Sequence, residues 1–452
     1  MQFELTREYI DDLKNLIDQE NSTEVKAKIE DLHPADIADI LDELNTEEAI
    51  YTFLLLDGDT GADVLAEIEE DDRKRFIKVL PIEVLAKKFI DHMDSDDAAD
   101  LIGGLSDEKR EEILSHIEDI ETAGDIVDLL HYDEDTAGGL MGKELVIVNE
   151  NWTVLTCLRE LSRQAEDIDE IYYVYVVNDD GKLIGTLSLK KMILSPTSAK
   201  IVNIFEPDVM SVHTDESDEE VSRIMEKYDL VALPVVDSIG RLMGRITIDD
   251  VVDVIRDEAE KDYQMASGIS EDIESNDSVW LQTRARLPWL LIGLVGGIFA
   301  AKVISIYEIG LDETPAMAFF IPLITAMAGN VGVQSSAIIV QGIASNSLGI
   351  ESTFSRLMRE LGGALINGLT CSSLLLLYNY FFSDSFALTI SVSVALFVVI
   401  IFAAIAGTII PLMLHRAKID PALATGPFIT TLNDIVGLLI YLAIGVYFLN
   451  LG

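Results

Sequence analysis

Carboxylates at helical spacing are the residues of this chain best placed to do chemistry. Asp250, Asp253 and Asp257 fall on one face of a helical stretch, and Glu258 and Asp262 form a further pair four residues apart. Like charges so spaced destabilise a helix by about 0.2–0.5 kcal/mol per pair. Asp91, Asp94, Asp96, Asp97 and Asp100 supply a second acidic surface. Bringing the two surfaces together is unfavourable without cations. A hard dication such as Mg²⁺, which takes oxygen ligands and keeps waters, reverses the sign. The pattern reads as a divalent-cation sensor, closed with ions and splayed without. The plainer alternative is a solvated acidic surface. A different carboxylate, Asp434, sits in Thr430-Thr431-Leu432-Asn433-Asp434, ahead of the apolar run Ile435–Tyr447. At membrane depth a carboxylate costs roughly 3 kcal/mol on insertion scales unless paired or hydrated. Asp434 therefore reads as a cation or proton site, the alternative being a structural hydrogen bond to a neighbouring helix. Lys302 can snorkel from its helix end and is not its partner.

The elements that must hold these residues divide the chain in two. The 452 residues carry 79 Asp plus Glu against 32 Lys plus Arg, a formal net charge of −47, yet 49% are hydrophobic. A cut near Trp280 resolves the conflict. From Leu281 onward eight acids face seven bases, a net charge of −1, and the remaining −46 lies in residues 1–280. So acidic a surface repels phosphate backbones, which excludes nucleic acid as a partner. Cys157 and Cys371 fall in different halves, so no disulfide framework is indicated. Met1-Gln2-Phe3-Glu4 leads into a charged amphipathic stretch, and no signal peptide is expected. Nothing resembles a nucleophile with its base, and the histidines lack metal-ligand spacing, so an enzyme is not expected.

Five apolar stretches follow, at roughly 288–307, 315–343, 360–382, 387–414 and 421–450, each meeting the ~20 residues that a spanning helix needs. The second is expected to break at Pro322 and Gly329-Asn330-Val331-Gly332, and the fifth at Gly426-Pro427 and Gly437, as backbone lining a cavity can. Arg284, Arg286, Arg356, Arg359, Arg416 and Lys418 fall in alternate loops. Glu308, Asp312, Glu313 and Asp384 fall in the others. The positive-inside rule then places the N-terminal 280 residues in the cytoplasm and the C-terminus outside. Asp434 is the one carboxylate expected deep in a span.

Residues 1–130 read as short amphipathic helices. His33–Leu44 echoes Asp94–Leu105, which suggests an α-superhelix. Beyond Asp135-Thr136-Ala137-Gly138-Gly139 a strand, helix, strand, turn, strand order appears. Its members are Glu144–Asn149, Val154–Arg163, Tyr172–Asn178, Asp180-Gly181 and Leu183–Leu187. It recurs about 60 residues later as Val209–Val212, Glu219–Lys227, Leu233–Asp237, Ile239-Gly240 and Leu242–Thr247, a tandem module.

Leu233-Pro234-Val235-Val236-Asp237 through Asp249-Asp250-Val251-Val252 resembles a cystathionine-β-synthase-type (CBS) domain. A CBS pair preceded by acidic helices and followed by five spans resembles the MgtE family of bacterial magnesium channels. The connecting stretch 252–266, Gly329-Asn330-x-Gly332-x-Gln334-Ser335, and Asp420-Pro421-Ala422-Leu423 through Asp434-x-x-Gly437-Leu438-Leu439-Ile440-Tyr441 carry the likeness further. The resemblance implies a multidomain membrane protein: an α-superhelical N-terminal domain (1–134), tandem α/β CBS domains (135–200 and 201–254), a connecting helix (255–280) and an all-α transmembrane domain of five helices (281–452).

It implies a homodimer in lipid of the bacterial inner membrane, conducting Mg²⁺ and gated by intracellular Mg²⁺. It implies Mg²⁺ ligands among Asp94, Glu219, Asp229, Asp250, Asp253, Glu258 and Asp262. Asp434 becomes the central pore residue, with Asn330 as a neutral ligand and Asp420 at the cytoplasmic mouth. Lys261 stands where an acid is expected. In the second module Gly244–Asp250 resembles an adenosine-nucleotide pattern, with Thr247 for phosphate and Asp250 for ribose. In the first, Lys191 replaces the ribose-binding acid, so ATP has one conventional site at most. Two other functions stay open: a CBS-regulated proton-coupled divalent-cation transporter or efflux system, and a membrane scaffold or sensor without transport.

Overall fold

A computed structural model describes residues 3–68, 70–165, 168, 171–270, 273, 278–344, 353–383, 385–424 and 426–449. Glu351, Asp384 and residues 271–272 and 274–277 of the connecting segment lie outside them. The chain divides into two compact units, Met1–Ile255 and Arg256–Gly452.

The first unit opens with short helices running from Arg7–Asp18 to Ile120–Leu129. Their caps are written locally. Asn45 accepts from the N–H groups of Glu47 and Glu48 while the Glu48 carboxylate accepts from the Asn45 N–H, a capping box that starts Thr46–Phe53. His33-Pro34 and Pro81 start two more helices, because proline suits a helix start, where its missing N–H costs no hydrogen bond. Apolar residues at helical spacing bury Leu13, Ile37, Ile40, Leu41, Phe53, Leu65, Phe89 and Ile90. Phe53 meets Phe76 edge-on with ring centroids 5.5 Å apart.

The tandem α/β modules follow. β1 (Val146–Asn149) lies parallel to β2 (Val174–Val177), which pairs antiparallel with β3 (Leu183–Leu187), in register Val146↔Val174 and Tyr175↔Thr186. β4 (Val212–His213), β5 (Ala232–Val236) and β6 (Leu242–Thr247) repeat the order, with Val212↔Val235 and Leu233↔Ile246. Gly181 and Gly240 turn the hairpins at φ +77° and +86°, angles that L side chains rarely adopt. The second module shares one hydrophobic core with the N-terminal helices, through Val221, Leu233, Val235, Ile246 and Val251. The first keeps its own, around Val146, Val154, Cys157 and Val176. β5 is accordingly buried at every position. The helix Ile248–Ala266 begins directly after β6.

The second unit holds five helices long and apolar enough to cross a membrane: Val279–Ile306, Pro315–Ile343, Thr353–Phe382, Phe386–Arg416 and Pro427–Leu449. The fourth is the hub, with Val392, Ala395, Val399, Ala403 and Ala404 buried along it. Leu290, Leu294, Ile298, Leu369 and Tyr380 on the first and third are exposed, as hydrocarbon solvent permits.

Two sequence expectations are corrected here. The second span does not break at Gly329–Gly332: the helix Ile321–Ala344 is continuous, preceded by a 3₁₀ turn, Pro315–Phe320. Pro322 falls in its first turn, where its missing N–H costs nothing. The fifth likewise starts at Pro427, after the 3₁₀ turn Pro421–Ala424, and runs unbroken through Gly437. The glycines serve close packing instead. A Cβ at Gly332 would collide with the Asn433 amide, and one at Gly407 with the Gly332 carbonyl. The helix that carries the third span also starts earlier, at Thr353, so Arg356, Arg359 and Glu360 are helical.

Candidate cation sites

In the membrane unit, Asp434 is half-buried on the fifth span and borders the backbone of the second. A Cβ at Gly329 would stand 3.8 Å from Asp434 Oδ1 and 3.1 Å from Thr430 Cγ2. Asn330, the next residue, is exposed. The residue before Asp434 is Asn433, fully buried, and neither of its amide atoms has a hydrogen-bond partner. A further carboxylate lies near the start of another span's helix. Glu360 lies on the third, where it accepts a hydrogen bond from the Ser335 hydroxyl at 2.5 Å. The apolar stretch 360–382 places Glu360 at its rim.

Asp420 accepts from the Ala422 N–H at 2.8 Å and so caps the turn that leads into the fifth span. The same unit holds the end of the connecting helix. Burial, then the charges of Asp420 and Glu258, raise the Asp262 carboxyl above its ordinary range, against the opposing charge of Lys261. The Lys261 ammonium lies 3.1 Å from Glu258 Oε1, so the lysine standing at an acid's position offsets one candidate ligand. Beyond the helix, Gly268 at φ +80° packs on the Pro427 ring. The Ser270 N–H and hydroxyl both donate to the Ala285 carbonyl, at 3.1 and 2.9 Å. The C-terminal end of the connecting helix is thus docked on the starts of the first and fifth spans.

In the soluble unit the structure brings Asp94, Asp96 and Glu144 together, with one oxygen of each lying within 4.8 Å of the others. Glu144 is positioned by the Ser95 N–H at 3.0 Å and the Ser95 hydroxyl at 3.1 Å. Gly142 makes room: a Cβ there would stand 2.8 Å from both Asp96 Oδ2 and Glu144 Oε2. Asp96 is held well above the carboxylate range by burial, then by the charges of Asp250, Asp97, Glu144 and Asp94. Burial, then Asp250, Asp94 and Asp100, push Asp97 to about 7 against Arg73. Burial and Asp249 push Asp250 to about 6, against the hydrogen bonds of Thr247. Those bonds run to Asp250 Oδ2 from the Thr247 N–H at 3.0 Å and its hydroxyl at 2.8 Å. All the donors are oxygens, the set that Mg²⁺ takes.

The remaining candidates are dispersed. Glu219 sits in the first turn of Asp218–Tyr228, and Asp229 is the left-handed cap at its other end, about 15 Å away along the axis. Asp253 is exposed on the connecting helix, one turn beyond Asp250. Asp91 accepts the Glu118 N–H, a structural duty. Lys191 of the first module lies 3.6 Å from Glu206. Asp96 and Glu144 are the members that sequence reasoning missed as ligands. Asp96 is legible as part of an acidic run, whereas Glu144 is 48 residues away and carries no local signal.

Comparison with known proteins accounts for this architecture. Residues 321–444 match the MgtE family described as a divalent cation transporter, 32–135 the MgtE intracellular N domain, and 137–195 and 201–257 the CBS domain. The chain is 34% identical to the magnesium transporter MgtE of Thermus thermophilus, with 96% of each covered, and 32% identical to that of Bacillus subtilis, with 94% of each covered. Its soluble part is similar to the crystal structure of the soluble part of a magnesium transporter, at 31% identity and TM-score 0.50, over 56% of this chain and 98% of that one. It is also similar to the cytosolic domain of the Mg²⁺ channel MgtE in complex with ATP, at 34% identity and TM-score 0.50, over 54% of this chain and 99% of that one. With relatives of this identity matched over nearly their whole length, and named as transporters rather than enzymes, the chain belongs to the MgtE family of magnesium transporters.

Proposed function

We propose that the five-helix unit conducts Mg²⁺ past Asp434, and that Mg²⁺ bound to the soluble acids closes the path. The observation that carries the gating reading is the docking of the connecting helix, with Asp262 beside Asp420, on the starts of the first and fifth spans. That helix runs without interruption from Asp250 to this point. Ions on Asp94, Asp96, Glu144 and Asp250 hold its first turns, and ions at Glu258, Asp262 and Asp420 hold its last. Without ions the like charges repel and the helix leaves the mouth. Glu219, Asp229 and Asp253 contribute further acidic positions.

One Asp434 is too few to recognise a hydrated dication. A twofold homodimer supplies two around one axis, with waters completing six ligands and Asn330 adding a neutral one. The basic loops put residues 1–280 on the cytoplasmic side of a bacterial inner membrane. The working parts are 1–134, 135–200, 201–254, 255–280 and 281–452. ATP is a further ligand at Thr247 and Asp250. The acids around Asp250 repel a polyphosphate, so nucleotide and Mg²⁺ bind there together.

The test is Mg²⁺ current through the full chain in liposomes at zero proton gradient. Wild type is expected to conduct, and Asp434→Ala to fall to background while remaining inserted. Flux that requires a proton gradient would favour a proton-coupled carrier, and near-normal flux in an inserted Asp434→Ala would remove Asp434 from the path.

A further inference from the structure

Glu360 lies two turns, about 10 Å, from the start of the helix Thr353–Phe382. Its hydrogen-bond partner, the Ser335 hydroxyl, is 3% exposed on the second span. A serine within a span ordinarily returns its hydroxyl to its own helix, as Thr325 does to the Ile321 carbonyl. Ser335 reaches across to another helix instead.

It is also pressed from the fourth span, where a Cβ at Gly407 would stand 3.0 Å from Ser335 Cβ. The second and third spans each pack along the fourth rather than along one another. The Ser335–Glu360 bond therefore ties a flank of the second span, one turn along from Gly332. The adjoining face, at Gly329 and Gly332, meets Asp434 and Asn433. Ser335 is only six residues, about 9 Å, beyond Gly329 on one continuous helix. Turning that helix about its axis would carry Gly329 away from Asp434.

We infer that Glu360 is a positioning residue for permeation: by accepting from Ser335 it fixes the rotational setting of the second span against Asp434. A hydrogen bond to a carboxylate is suited to this, being stronger than one between neutral groups. The inference rests on the reading of Asp434 as the permeation site.

The test measures Mg²⁺ flux in liposomes, normalised to inserted chain. Ser335→Ala and Glu360→Ala should each lose about tenfold, and the double variant no more than either single, because both remove one interaction. Glu360→Gln keeps an acceptor and should stay within about twofold of wild type. A brace that only stabilises the fold would lower the melting temperature and leave flux per inserted chain unchanged. A second readout is independent of transport. Spin labels replacing the exposed Ile338 and Leu439, in a background lacking Cys371, report the distance between the second and fifth spans. That distribution should broaden in Glu360→Ala and stay narrow in Glu360→Gln. If wild type carries no Mg²⁺, the permeation reading fails and the label distances still decide the positioning role. Normal flux together with unchanged distances in Glu360→Ala would overturn it.

Discussion

Asp96, Asp97 and Asp250 are carboxylates whose hold on a proton the fold strengthens by burying them against one another. Asp94, Asp100, Glu144, Asp249 and Asp253 add to the negative field around them, and Arg73 and Thr247 oppose it. Between about pH 4, where free Asp titrates, and about pH 7, the folded form binds more protons than the unfolded. Stability in chelator is therefore fully present below about pH 4 and lost as pH rises through about 7. Asp97→Asn should raise the melting temperature of the detergent-solubilised chain at pH 8 in chelator and flatten this slope. Added Mg²⁺ should stabilise wild type more at pH 8 than at pH 5, since ions and protons compete for the same oxygens; the reverse order would show that ions do not bind there. Thr247 gives a separate check, because Thr247→Ala should weaken ATP binding about tenfold by calorimetry if a hydroxyl–phosphate bond is lost. Equal affinity would exclude the second module. Most of these residues are legible in sequence as an acidic run. The Asp94–Asp96–Glu144 grouping is not, because it depends on Ser95 and Gly142 admitting a carboxylate from 48 residues away.

At the scale of elements, the connecting helix couples the two ends of the account. Its last turns lie beside Asp420, Pro427 and Ala285. Limited proteolysis of the full chain should find residues 250–270 protected in millimolar Mg²⁺ and cut several-fold faster in chelator. Protection that ignores Mg²⁺ would leave the acidic face as ordinary solvated surface. Elements with a strong local signal are readable in advance. Both α/β modules follow from β-branched runs closed by Gly181 and Gly240, and the five spans from hydropathy. Their ends are less readable. The helix of the third span starts with two polar turns that hydropathy does not register, although helix geometry accepts them. The glycines of the second span read as a break because glycine disfavours isolated helix, whereas the fifth span requires their lack of a side chain for contact.

At the scale of the molecule, the charge division is the mechanism's raw material: −46 on residues 1–280 beside a nearly neutral membrane unit. Gating needs Mg²⁺ to bind the closed arrangement more tightly than the open one, since equal binding shifts nothing. Moving from 1:99 to 99:1 takes about 5.5 kcal/mol, which several weak sites of about 1–2 kcal/mol each supply together. The decisive measurement is open probability of the purified full chain in a bilayer at zero proton gradient, with cytoplasmic Mg²⁺ stepped from chelated to millimolar. The account predicts Mg²⁺ current that closes as Mg²⁺ rises in wild type and persists at millimolar Mg²⁺ in Asp250→Asn with Asp253→Asn. Current that is indifferent to cytoplasmic Mg²⁺ in wild type, or that closes equally well in the double variant, would contradict it.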